Sequence, residues 1–173
     1  FFIHPNGFIK AKSGIYQKRI EFASASGNVV AKDSLGEYAF FGERLQYDRI
    51  KKILTMPLRP VLHHYSKNKD KNGEIDTLSI KADWISYKQD DEFAEAFKNV
   101  VLEHNGMTVT CDTGYFNKKE NWISMKGNPK CLLENHELSG DSIFLRLTPD
   151  GKGLKSALVI QNAHGIQKEP RKK

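Results

Sequence analysis

Side chains able to do chemistry are few in this chain, and they are poorly grouped. His63 and His64 are adjacent. In a strand, neighbours point to opposite faces, so this pair cannot close on one metal ion. His4, His104, His136 and His164 are scattered, and no His/Cys spacing matches a zinc site. Asp90-Asp91-Glu92 is a dense run of acids and reads as a solvated turn, not as a positioned acid–base pair. Ser139-Gly140-Asp141 lacks the G-x-S-x-G elbow, and there is no glycine-rich phosphate loop. Cys111 and Cys131 lie outside any C-x-x-C. They either pair in an oxidising compartment or stay as buried thiols, and the sequence leaves both open. No catalytic residue, metal or cofactor is expected, and the chain reads as a non-enzyme.

The elements that hold these residues are repeated. Sliding the chain by 71 residues brings Ile9-Lys10-Ala11 onto Ile80-Lys81-Ala82 and Tyr16 onto Tyr87. Glu21-Phe22-Ala23 falls on Glu92-Phe93-Ala94, Ala25 on Ala96, and Asn28-Val29-Val30 on Asn99-Val100-Val101. With two residues dropped, the offset becomes 69: Tyr47-Asp48 meets Phe116-Asn117, Leu54-Thr55-Met56 meets Ile123-Ser124-Met125, and Pro60 meets Pro129. A partial third copy starts near Ser139, where Asp141-Ser142-Ile143 resembles Asp83-Trp84-Ile85. The units run over about 9–66, 80–136 and, in part, 139–162. One such unit cannot bury its own apolar face and must stack on the next.

Period-2 alternation dominates. Met107, Val109 and Cys111 alternate with Thr108, Thr110 and Asp112. Ile143, Leu145 and Leu147 alternate with Phe144, Arg146 and Thr148; Ile85 and Tyr87 alternate with Trp84 and Ser86. Leu158 and Ile160 alternate with Val159 and Gln161. Each pattern predicts a strand with one face on an apolar interior. The segments 18–28 and 90–99 also read as strands. Asn105-Gly106 is a hairpin signal, and Asn72-Gly73, Ser139-Gly140 and Asp150-Gly151 end further strands. Gly127-Asn128-Pro129 breaks one strand, and Lys67–Gly73 is the longest loop. The fold expected is all-β and antiparallel: one domain over 1–166, followed by a flexible basic tail over 167–173. The interior face is expected to hold Val29, Tyr38, Phe40, Met56, Ile85, Val100, Leu102, Met107, Val109, Ile123, Met125, Ile143 and Leu145. Leu45, Tyr47, Leu54, Val61, Cys111, Phe116, Leu133 and Leu138 are further interior candidates.

Composition narrows the class. Charged residues make up 28% and hydrophobic ones 39%, which fits neither a disordered nor a membrane-embedded chain. No apolar run approaches the ~18 residues that cross a bilayer. The sequence begins at Phe1 and shows no charged start followed by an apolar run, the mark of a secretion signal. The net charge of +6 is clustered at Lys67 to Lys71, Lys118-Lys119 and Lys168 to Lys173. It suits anionic partners, or solubility alone.

Four runs carry a resemblance. They are Lys81-Ala82-Asp83-Trp84-Ile85-Ser86-Tyr87, Ala96-Phe97-Lys98-Asn99-Val100-Val101-Leu102, Asn105-Gly106-Met107-Thr108-Val109-Thr110-Cys111-Asp112 and Ile123-Ser124-Met125-Lys126-Gly127-Asn128-Pro129. In that order they resemble the repeat of the LptA/OstA-like family, and Gly27-Asn28-Val29 matches its "G-N-V" element directly. The likeness spans about Ile9 to Ile160. Lys98 replaces the glycine expected before Asn99, and Arg59-Pro60 stands where the second unit has Asn128-Pro129.

The resemblance implies a β-jelly-roll, or β-taco, with open ends and a periplasmic location. It implies a transport protein that shields the lipid A acyl chains of lipopolysaccharide in its interior and bridges inner to outer membrane. It also implies head-to-tail stacking through edge strands, with LptC-like and LptD-like proteins or with further copies. An LptC-like or LptD N-terminal bridge component is the near alternative. A jelly-roll enzyme and a basic β-module for nucleic acid are rivals of other classes. The aromatics form no RNP-like or OB-like cluster, so no nucleic-acid partner is expected.

Overall fold

The structure is a computed structural model that describes residues 2–4, 7–69, 75–133, 136–149 and 154–167. The described residues are strands and turns, without a helix. In chain order the strands are β1 (Phe2–His4), β2 (Gly7–Lys10), β3 (Ser13–Gln17), β4 (Phe22–Asp33), β5 (Tyr38–Asp48), β6 (Ile53–Pro57), β7 (Val61–Lys69), β8 (Ile75–Lys81) and β9 (Trp84–Lys88). They continue as β10 (Phe93–His104), β11 (Met107–Asn117), β12 (Trp122–Lys126), β13 (Lys130–Leu133), β14 (His136–Ser139), β15 (Ser142–Leu147), β16 (Leu154–Ile160) and β17 (His164–Gln167). All pairings are antiparallel.

The sequence repeat is a repeat of strands. β3, β4, β5, β6 and β7 recur as β9, β10, β11, β12 and β13. The two dropped residues lie in the hairpin, where residues 34–37 of the first unit become Asn105-Gly106 in the second. The partial third copy recurs as β15, with Asp141 at its start as Asp83 stands before β9.

Long strands fold the sheet over. β4 loses register between Ser26 and Val29, and β10 between Phe97 and Val100. Gly27 (φ 81), Asn28 (φ 49), Lys98 (φ 59) and Asn99 (φ 50) occupy these breaks in left-handed conformations. Such a bulge bends a strand. Each half then finds a different partner: β4 meets β3 before its break and β2 after it, while β10 meets β9 and then β8. β5 and β11 divide in the same way between β7 and β6 and between β13 and β12. Elsewhere on the same line the chain turns at Leu58-Arg59, Gly127-Asn128 and Gln161-Asn162, all at positive φ. Backbone hydrogen bonds run along this crease, from Lys12 N to Gly27 O (2.9 Å), Asp83 N to Lys98 O (2.9 Å), Asp112 N to Gly127 O (3.2 Å) and Asp141 N to Gln161 O (3.1 Å).

The product is a β-jelly-roll folded as a taco. One wall runs β3-β4-β5-β6-β9-β10-β11-β12-β15-β16, and the other runs β1-β2-β4-β5-β7-β8-β10-β11-β13-β14-β17. The outer surface of the first wall carries a cross-strand ladder of rings: Trp84–Phe97 (5.2 Å), Phe93–Trp122 (6.0 Å) and Trp122–Phe144 (5.7 Å between centroids). Such pairs stabilise a sheet face that a core does not cover.

Several expectations need correction. The segments 18–28 and 90–99 do enter β4 and β10, but their first residues form turns. Val159 points inward opposite Ile143, whereas Leu158 and Ile160 face outward at 57% and 44% exposure. Leu62, not Val61, fills the interior position on β7. Leu133 shares the inner side with Cys131 but ends its strand at the rim, where it is exposed. The loop expected from Lys67 is strand through Lys69. Residues 70–74, Asp150-Gly151 and the tail from Lys168 lie outside the described residues, while Gln167 closes β17.

Candidate functional site

Two inward rows define the space between the walls. Antiparallel pairing aligns Tyr16, Ala23, Tyr47, Leu54, Tyr87, Ala94, Phe116, Ile123 and Leu145 across the first wall. Facing them across the second are Ile9, Ala31, Phe40, Leu62, Ile80, Leu102, Val109, Cys131 and Leu138. Because the side-chain period of a strand is two, every member of a row points into the same trough.

Twelve of the thirteen interior positions read from sequence are buried there, and Met107 is half-buried at the rim. They divide into two groups. Tyr38 and Phe40 line an open chamber at the N-terminal end. Ile85, Val100, Leu102, Ile123 and Met125 border a residual void of about 10 Å³, where the protein's own side chains fill the trough. Such a void holds at most about one water. Val29, Met56, Val109, Ile143 and Leu145 are fully buried.

The chamber has a volume of about 270 Å³. Its walls are the first members of each row: Tyr16, Ala23, Tyr47 and Leu54 on one side, with Ile9, Ala31 and Phe40 on the other. Space survives because Ala23 and Ala31 are small and because the sheet ends at this side. Its rim is polar and of mixed charge, carrying Asp33, Glu37, Arg49, Lys52, Gln89 and Glu92. Most of these groups are held by neighbours just outside that set. Arg49 donates to the Tyr16 hydroxyl (3.4 Å) and lies 3.8 Å from Glu21; Lys52 pairs with Asp90 (2.8 Å). The Tyr47 hydroxyl donates to Gln89 Oε1 (3.3 Å), and the Asp33 carboxylate accepts the Tyr38 N–H (2.7 Å).

Rings close the inner end. Tyr87 reaches from the first wall to within 5.0 Å of Tyr38 and 5.4 Å of Phe40 on the second, centroid to centroid. His64 continues the barrier, 4.8 Å from Tyr38 and 6.1 Å from Phe116. Burial raises the phenol pKa of Tyr38 and of Tyr87, so both stay protonated. Burial, with Lys118 nearby, lowers the His64 pKa to about 4 and leaves the ring neutral at pH 7. The Tyr38 hydroxyl is buried, and the Tyr87 side chain is the polar group it meets.

Sequence reasoning missed the chamber's Phe8, Ile9, Tyr16, Ala23 and Ala31 and its charged rim. A signal was present: Tyr16 matches Tyr87 and Tyr47 matches Phe116 between the copies, and the four rings share one row. Cys111 and Cys131 are both free and buried. Burial raises both thiols, Cys111 to about 11. Among the described residues no cluster of His, Cys, Asp or Glu could hold a metal, and no helix is long and apolar enough to cross a membrane.

Walls, crease and trough define an LptA-like β-jelly-roll. Among solved structures it is similar to LptH of Pseudomonas aeruginosa, described as the LptA-homologous periplasmic component of the conserved lipopolysaccharide transport device. That likeness has a TM-score of 0.65 at 12% sequence identity, over 74% of this chain and 94% of LptH. No family model and no curated protein sequence matches the chain.

Proposed function

We propose that this protein is a periplasmic lipid-binding transport protein. It shields lipopolysaccharide acyl chains between its walls and bridges inner to outer membrane in a stack of like-folded proteins. The observation that carries the reading is the apolar chamber, open at one end of a trough whose fold is shared with LptH. Each methylene taken out of water there stabilises the complex by about 0.8 kcal/mol. The thirteen interior positions are the acyl-facing set: Tyr38 and Phe40 meet lipid first, and the packed remainder does so only once the walls part.

The ends supply the stacking surfaces. β1 and β3 bound the walls at one end, and β16 and β17 at the other, each with one long side unpaired among the described residues. An unpaired edge is a template for another chain's strand. Leu158, Ile160 and Ile166 are exposed on the β16 and β17 edges. Neighbours of LptC-like or LptD-like fold, or further copies of this chain, fit these edges. A place within the same bridge as the LptC-like or LptD-like member is the near variant.

Mass spectrometry of lipid extracted from the purified protein tests the proposal. Acylated lipid in near-stoichiometric amount is expected. Protein that carries none and also fails to take up added lipopolysaccharide would overturn it.

A further inference from the structure

The chamber and the rest of the trough differ in a way that sets what the N-terminal end can hold. Its volume of about 270 Å³ lies just below the ligand-pocket range of roughly 300–1,000 Å³. That is room for one slender apolar chain, not for a bundle of them. The rim gives polar surroundings to a headgroup, and the lining between rim and crease is apolar or phenolic. At the inner end the passage stops. Tyr87 crosses from wall to wall onto Tyr38 and Phe40, and the space beyond it is filled.

We infer that this chamber is the seat of a single acyl chain, and that Tyr38, Phe40 and Tyr87 set the chain length it accepts. The inference rests on the lipid-carrying reading above and names what one end of the trough takes. A chain grows into the chamber until its terminal methyl meets the rings. Each methylene up to that point adds apolar burial, and each one past it stays outside the rim in water. Lipids with several chains, or with one longer chain, need the ring barrier to swing aside.

The chain can be that of a free fatty acid or of a monoacyl lipid, and the test uses both. Saturated fatty acids and lysophosphatidylglycerols of eight to sixteen carbons are titrated into the full chain below their micelle concentrations. Affinity is expected to rise by about fourfold per methylene and then to level off within the series. Both headgroup series should break at the same length, since the rings and not the head set it. Tyr87→Leu and Tyr87→Ala should each move the break to longer chains; the leucine variant keeps an apolar side chain in the row should alanine fail to fold. An unbroken rise to sixteen carbons, a break that differs between headgroups, or a break unmoved in a folded Tyr87 variant would each overturn the inference and leave lipid carriage standing. Absence of binding in both series would also overturn it, and lipopolysaccharide uptake then decides the broader reading separately.

Discussion

Asp76 is a buried carboxylate, at 6% exposure, on a strand whose inward neighbours are Leu78 and Ile80. Its partner is His104, whose Nε2 lies 2.9 Å from Oδ1. A buried charge left unpaired is strongly destabilising. His104→Ala should therefore lower unfolding stability by about 3 kcal/mol in urea titration, and adding Asp76→Asn should recover part of the loss. A loss below about 0.5 kcal/mol would show that water already reaches the carboxylate. The sequence separated His63 from His64 by strand parity, and the structure agrees. His64 stacks inward on Tyr38 and Phe116, and His63 lies against Phe41 and Tyr65. The Asp76–His104 pair was not readable, because its members are 28 residues apart on strands joined only by the fold.

At the scale of elements, the crease is where sequence and backbone must agree. Lys98 sits at φ 59 in the position where Gly27 holds the equivalent bend of β4. A left-handed residue with a Cβ is disfavoured by roughly 1 kcal/mol, so Lys98→Gly should stabilise the protein by up to about that amount. Gly127→Ala should act in the opposite sense. Gly127 has φ 78, and an added Cβ would collide with the Asp112 side chain. Thermal unfolding of the two variants checks the pair; a lower melting temperature for Lys98→Gly would contradict the strain argument. The repeat offset was legible because the copies keep the same apolar parity; the strands read as a simple meander, whereas β5 and β11 each cross over to a second partner. The Gly-Asn motif was legible only as a motif, since sequence does not show that five such bends fall on one line. β16 was assigned the wrong inward face. It carries apolar residues on both sides, and an edge strand has one neighbour to set its register.

On the scale of the whole molecule, alternation identified which side chains face inward but not how far apart the walls stand. A filled core and an open trough share the same period-2 pattern. The structure shows both, with packing from Met56 to Leu145 and open space between Ile9 and Phe40. The reason is the arrangement of bulk along the rows: alanines thin the N-terminal part, while Tyr87 and Phe116 fill the span between the walls farther in.

Photo-crosslinking tests lipid carriage inside the trough most directly. A photoreactive residue at Phe40 or Leu54, inside the chamber, should capture lipopolysaccharide, with weaker capture at Met125 behind the rings. Phe41 and Thr55, their outward-facing strand neighbours, should capture none. Equal labelling at the inward and outward positions would contradict the account.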